Sequence, residues 1–236
     1  MMPDGSRDMY VGLGVGYAPS CDGSDERKTR VLPNIQVQWS NGVFVRNQSL
    51  GIHLSNDPGL EYGPLLEYDH GCDASPFQRS VGVKDINSSI GVGGFFNYYL
   101  TPDFRLGSKL LVGRENGRDR VLFSLDARKY VQVAAHHGLG FSAGLTWANQ
   151  GYVQTRSDFD PQKLFAAFAP APARTNYSVH AGIKDVHAGV NWNWELTPAW
   201  LVTSQASVFR LTGSAADNPL NRRSYMTVYT GLAYRF

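Results

Sequence analysis

"VNWNWEL" (190–196) alternates strictly: Trp192, Trp194 and Leu196 fall on one side of an extended chain, and Asn191, Asn193 and Glu195 fall on the other. Successive side chains of a β-strand point to opposite faces, so the stretch is a strand with one aromatic face. It does not say which face is wet. In a soluble β-sandwich the tryptophans would face the core. In a membrane barrel they would face lipid, with the asparagines lining the interior. A Thr-Pro turn follows at 197–198, and then another ring, Trp200.

The composition narrows the choice. A chain of 236 residues is often one domain when it is all-β, so 1–236 is read as a single barrel domain. Hydrophobic residues make up 42%, and no apolar run approaches the ~18 residues a spanning helix needs. A barrel remains open, because only alternate residues of its strands must be apolar. The 25 glycines and 12% aromatics suit tight turns and interfacial girdles. The net charge of +2, without any Lys/Arg stripe, sets nucleic acid aside as a partner. The opening "MMPDGSRDMYV" has no apolar signal-peptide core. The chain is therefore cytosolic or begins after signal-peptide removal, and an outer-membrane location requires the second.

Alternating segments of about ten residues recur along the chain, separated by turn signals. Eleven can be counted, whereas a bacterial barrel takes an even number. Twelve antiparallel up-and-down strands are expected, with ten as the alternative. The missing strand is sought first at "SVGVKDI" (80–86), otherwise in a miscount between 43 and 69. There, "VFVRNQSLGIHL" loses phase and suggests a bulge or break near Asn47–Ser49.

Two hairpins are near-copies. "FFNYYLTPDFRLGSKL" and "NWNWELTPAWLVTSQA" place rings at equal offsets from a Thr-Pro turn, so that Phe96, Tyr98 and Phe104 match Trp192, Trp194 and Trp200. Trp and Tyr settle at membrane interfaces, and short turns lie just beyond them. Tyr98, Phe104, Trp192, Trp194 and Trp200 are accordingly assigned to an aromatic girdle. Connections at 40–42, 101–103, 134–138 and 197–199 are short, while those at 19–29, 70–88, 114–119, 149–178 and 212–225 are mostly longer, the asymmetry of an outer-membrane barrel.

The opposite register supplies the lumen: Arg105, Lys109, Asp126, Arg128, His187, Asn191, Asn193 and Glu195, with Gln205. Mixed signs favour mutual ion pairs over a strongly selective pore, and bulky Phe95, Tyr99, Tyr130 and Phe209 push the same way. Lys129 lies in the apolar register and must snorkel if that face meets lipid. His136 and His137 fall in a short turn and read as solvated. No nucleophile elbow, zinc-protease motif or metal-ligand spacing occurs, and "CDGSDE" (21–26) lacks a calcium-loop ligand order. No enzyme activity, catalytic residue, cofactor or metal is expected.

The ending "TGLAYRF" puts Val228, Thr230, Leu232, Tyr234 and Phe236 on one face. With Gly231, Tyr234 and Phe236, it resembles the C-terminal signal read by the barrel-assembly machinery of Gram-negative bacteria. Further segments resemble the MltA-interacting protein family (MipA/OmpV): "GLGVGYAPSCDGSDE" (12–26), "GPLLEYDHG" (63–71), "VGVKDINSSIGVGGFFNYYL" (81–100), "YSVHAGIKDVHAGVNWNWELTPAW" (177–200) and "RLTGSAADNPL" (210–220). The resemblance implies a non-enzymatic outer-membrane scaffold linking a lytic murein transglycosylase to a murein synthase in peptidoglycan maintenance, with outer-membrane lipid around it.

Against the family pattern, this chain has gained Cys21 in its first loop and Cys72 in place of an Arg. The two either pair as a disulfide, in an oxidising periplasm, or remain two surface thiols. Ser214 and Asn218 also replace an Asp and a Ser of the pattern. Alternative functions are a small diffusion pore or surface adhesin, and, outside the membrane, a soluble β-sandwich binding module.

Overall fold

The computed structural model describes residues 9–157 and 178–236. Twelve strands form one closed antiparallel barrel in up-and-down order, with the first strand hydrogen-bonded to the last. They are β1 (Tyr10–Pro19), β2 (Arg27–Gln38), β3 (Val43–Arg46), β4 (Ser49–Ile52), β5 (Leu60–Asp69), β6 (Ser89–Thr101), β7 (Phe104–Glu115), β8 (Arg118–Ala134), β9 (His137–Ala148), β10 (Gly182–Thr197), β11 (Trp200–Leu211) and β12 (Ser224–Arg235). Closure leaves no sheet edge at the β1–β12 seam, where Tyr10 pairs with Arg235 and Tyr17 with Val228. It also excludes the two-sheet sandwich.

Large apolar side chains point out of the barrel, not into it. Leu13, Val31, Ile90, Val208 and Leu232 are exposed, Val31 at 70%. So much continuous apolar surface needs a lipid solvent. Lysine, arginine, amide and glycine positions alternate with it on the inner face. No helix among the described residues is long and apolar enough to cross a membrane; the strands do the spanning.

Two expectations about the strands are corrected. The twelfth strand is not at 80–86, where the chain forms helix α1 (Pro76–Ser80) and then a coil carrying one bridge, Cys72–Ile86. Val81 turns inward onto that loop at 1% exposure, which is why its spacing mimics a strand. The extra strand comes from 43–54, whose loss of phase is a complete hairpin rather than a bulge. β3 and β4 have four residues each and turn at Asn47, which has φ 46°, a value Asn tolerates. The 114–119 connection is also shorter than expected, a turn at Asn116–Gly117.

The shortness of this hairpin matters for the wall. β3 pairs only with Gln36–Gln38, so the upper part of β2 has no strand on that side. Pro33 lies on this stretch, where a missing N–H breaks no ladder bond. The 70–88 connection is fastened there by the Cys21–Cys72 bond and by Lys28 Nζ to Asp73 Oδ2 at 2.9 Å.

Candidate functional site

The end bearing the long connections is crossed by side chains that reach from both walls. Helix α2 (Gln150–Arg156) follows β9 and is capped by Asn149, whose side chain accepts from the Tyr152 amide. Its buried face carries Tyr152 and Val153, each 4% exposed, packed with Ala148. The guanidinium of Arg156 lies 3.8 Å from the Tyr152 ring centroid. It also binds Glu115 at the top of β7 through both nitrogens, one contact measuring 3.1 Å.

Around this pair the charges are shared. Arg120 donates to Ser89 at 2.8 Å and pairs with Asp69 at 2.9 Å, and it lies 3.9 Å from Glu115, whose side chain is fully buried. On the β10–β12 side, Lys184 Nζ sits 2.6 Å from Asp22 and 3.2 Å from Asp185. The Tyr225 hydroxyl donates to Asp22 at 3.0 Å. Tyr152 bridges the two halves, its hydroxyl 3.5 Å from Asp22 and 3.4 Å from Lys184 Nζ.

Four carboxylates (Asp22, Asp69, Glu115, Asp185) thus meet three cations (Arg120, Arg156, Lys184) across the mouth. Burial alone would push the Asp22 carboxyl up. Lys184 and Arg156 beside it, with hydrogen bonds from Lys184 and Tyr225, outweigh that and hold it well below the usual carboxylate range. Burial pushes the Tyr152 hydroxyl up, so it stays a neutral donor.

Below the mouth, the lumen has two unlike walls. On β5–β8 the expected polar residues form an ion-pair ladder: Lys109 to Glu67 at 2.6 Å, Arg105 to Asp126 at 3.5 Å and Arg128 to Asp126 at 3.1 Å. Tyr99 and Asn97 donate to Glu61 at 2.9 and 3.2 Å. Phe95 packs beside Phe44, Leu65 and Leu111. His187 lies in the opposite half, Nδ1 2.9 Å from Asp185 and its ring 5.4 Å from Phe209. The β1, β2 and β10–β12 wall carries Asn34, Gln36, Asn191, Asn193 and Gln205 around a cavity that Arg46 and Arg128 reach from its two sides.

The short-turn end carries the aromatic residues. Trp192 and Trp194 stack on each other at 5.7 Å and on His137, while Trp200 meets Tyr234 edge-on at 5.5 Å. Tyr98 and Trp200 are exposed, and Phe104 pairs with Lys129 across β7–β8. Lys129 reaches the Asp103 carboxylate in the adjoining turn, which is where a snorkelling lysine must end. Glu195 is held between Arg235 at 3.1 Å and His136 at 3.2 Å. Gly231 pairs with Gly14 at the seam, and Phe236 caps it, its amide donating to Met9 at 3.2 Å.

Sequence reasoning missed helix α2, which lies in the long 149–178 connection, and it missed Glu115, Arg120 and Lys184, each of which reads alone as a polar residue near a strand end. It also missed that His137 belongs to the girdle, where its Nδ1 accepts from Trp192 Nε1 at 3.3 Å. Cys21 and Cys72 are bonded, with Cα atoms 5.3 Å apart. No cluster among the described residues could hold a metal.

Comparison with known proteins agrees with this geometry. The family model of MltA-interacting protein MipA matches residues 11–236. Among solved structures, the NanC porin superposes with a TM-score of 0.55 at 11% identity, covering 96% of this chain and all (100%) of that one. The translocator domain of the autotransporter NalP from Neisseria meningitidis gives 0.54 at 9% identity, covering 97% of this chain and 88% of its own. A bacterial polysaccharide outer membrane secretin gives 0.53 at 8%, covering 97% and 98%. At these identities the likeness is one of fold. No curated protein matches the chain. The chain belongs to the MltA-interacting protein MipA family. It is an outer-membrane β-barrel protein.

Proposed function

We propose that this chain anchors a lytic murein transglycosylase at the inner face of the outer membrane and brings it beside a murein synthase, rather than serving as a general diffusion pore or an adhesin. The observation that carries the reading is the family match over 11–236, because the family's printed name is an interaction with such an enzyme. The ion-paired mouth supports it from the other side, since a side-chain plug across the outer end suits an anchor better than an open channel.

The partner would meet the short-turn rim. Turns there are short and tied down by Lys129 to Asp103 and by Arg235 to Glu195. The longest piece of that rim, residues 53–59, presents Leu54 at 57% exposure and is held by the His53 amide on the Gly42 carbonyl at 2.8 Å. A rim this rigid loses little conformational entropy on docking.

The test is capture. Refolded barrel in detergent, immobilised through its long-loop end, is expected to retain purified lytic murein transglycosylase at physiological salt. Replacing Leu54 with Asp is expected to weaken that capture. Failure of the unaltered barrel to retain the enzyme, in detergent and in bilayers alike, would overturn the reading.

A further inference from the structure

The outer surface of β10–β12 carries an open groove of about 590 Å³ near the long-loop end. Val186, Ala188, Val208 and Met226 give it an apolar floor, and Arg27 and Arg210 flank it. No carboxylate lines it. The register explains the grouping. Val186, Arg210 and Ser224 stand side by side on one row of the three strands, and Ala188, Val208 and Met226 form the next outward row toward the short turns. All six are exposed.

Arg210 sits at a definite depth. Trp200 opens the same strand at the short-turn interface, and Arg210 follows ten residues along β11. At ~3.3 Å per residue on a strand tilted by ~40°, that is a climb of about 25 Å, the height of the apolar band of a membrane barrel. The guanidinium therefore reaches the outer headgroup level, while Val208, Ala188 and Met226 still face acyl chains.

Two cations on the lipid side of a barrel wall need an anion there. Arg210 makes no ion pair among the described residues. Arg27 is also exposed, yet its guanidinium is held in place. It lies 5.4 Å from the Tyr17 ring centroid, and Nη1 donates to the Met226 carbonyl at 3.3 Å. That bond draws it across β1 onto the side of the groove where Arg210 opens. Asp25, on the β1–β2 connection, is already taken by Arg222.

The geometry points to a specific site for a phosphorylated, acylated lipid of the outer leaflet. The phosphate accepts from Arg27 and Arg210, and one acyl chain lies over Val208, Ala188 and Met226. A guanidinium fits phosphate because its planar N–H groups bind two oxygens at once. At the edge of the hydrocarbon that pairing is screened less than in water. Ala188 is the low point of the floor and leaves room for the chain. A zwitterionic lipid carries its own ammonium beside the phosphate and satisfies the arginines less well. The site lies on the outer wall, away from the short-turn rim, and does not depend on any enzyme held there.

Native mass spectrometry of the refolded full chain in detergent tests it, with diphosphorylated lipid A, the same lipid stripped of both phosphates, and phosphatidylethanolamine as probes. Saturable retention of one diphosphorylated lipid A per barrel is expected, about tenfold tighter than either other lipid. Two lipid-facing variants, both checked for the fast-migrating unboiled gel form, are each expected to weaken that retention about tenfold. Arg210→Gln removes a charge-assisted bond, and Ala188→Phe fills the groove while leaving both arginines in place. The comparison of the three lipids on the unaltered barrel stands whatever the variants do. The inference is overturned if diphosphorylated lipid A is not retained, if either other lipid is held as tightly, or if the folded variants bind as the parent does.

Discussion

Arg156, on a helix that follows β9, binds Glu115 at the top of β7, 41 residues earlier in the chain and fully buried. The pair forms only when the barrel has closed and α2 has folded back across its mouth. A carboxylate so buried is tolerable because Arg156 and Arg120 both face it. Breaking such a pair from one side strands the remaining charge, which is where the energy of a buried ion pair becomes visible.

Glu115→Gln is therefore expected to destabilise the folded barrel by about 3–5 kcal/mol, the usual loss when one partner of a buried pair is removed. Guanidinium unfolding of the refolded protein reads it. A change below measurement error would mean that the mouth is solvated and the pair is an exposed one.

The pH response of the mouth follows from Asp22. Its carboxyl is held below the unfolded value by Lys184 and Arg156, against the opposing effect of burial. A depressed folded value means that the contribution is complete above the unfolded value of about 3.9 and is lost as pH falls through the lower folded one. Hydrogen exchange of residues 20–26 is expected to stay slow from neutral pH down to about 4 and to accelerate only below. Opening already near pH 6 would require a different group, and Asp22→Asn is expected to abolish the acid transition.

The Cys21–Cys72 bond closes a loop with a sequence separation of 51. Loop closure of that size is worth about 4 kcal/mol in the chain-entropy account. Unreduced, unfolded protein is expected to show no thiol on titration. Cys21→Ser is expected to lower the unfolding midpoint and to loosen residues 70–88 on β2. Two reactive thiols in the unreduced chain would refute the pairing.

How much of this was legible beforehand differs from element to element. The alternation of 190–196, the repeat of its rings around Thr101-Pro102 and the aromatic ending foretold a barrel with its tryptophans outward, because each depends only on neighbours within a strand. The β3–β4 hairpin escaped, since four-residue strands barely establish a period and Asn47–Gln48 offers no glycine to mark the turn. Val81 and Val83 imitated a strand because their spacing alternates in the sequence, although within 80–86 only Val81 and Ile86 are buried. The plug escaped for a different reason. Glu115, Arg120, Arg156 and Lys184 lie on four separate elements, and nothing short of barrel closure brings them together. The amide wall of the lumen was half visible, in that Asn191 and Asn193 were placed inward.

The girdle has a depth as well as a face. With Trp192 and Trp194 stacked beside His137 near the short turns, lipids brominated near the headgroup are expected to quench them more than lipids brominated at the chain ends. The comparison requires variants that retain only this pair of tryptophans. Stronger quenching from chain-end bromines would move the segment to mid-membrane and reverse that assignment.

The claim that the mouth is closed by side chains, so that the barrel is an anchor and not a channel, is tested most directly by planar-bilayer recording of the purified full chain at neutral pH. Membranes containing folded protein are expected to stay silent, with steps emerging when Glu115 and Arg156 are both replaced by alanine. Steady single-channel currents from the unaltered protein would contradict it.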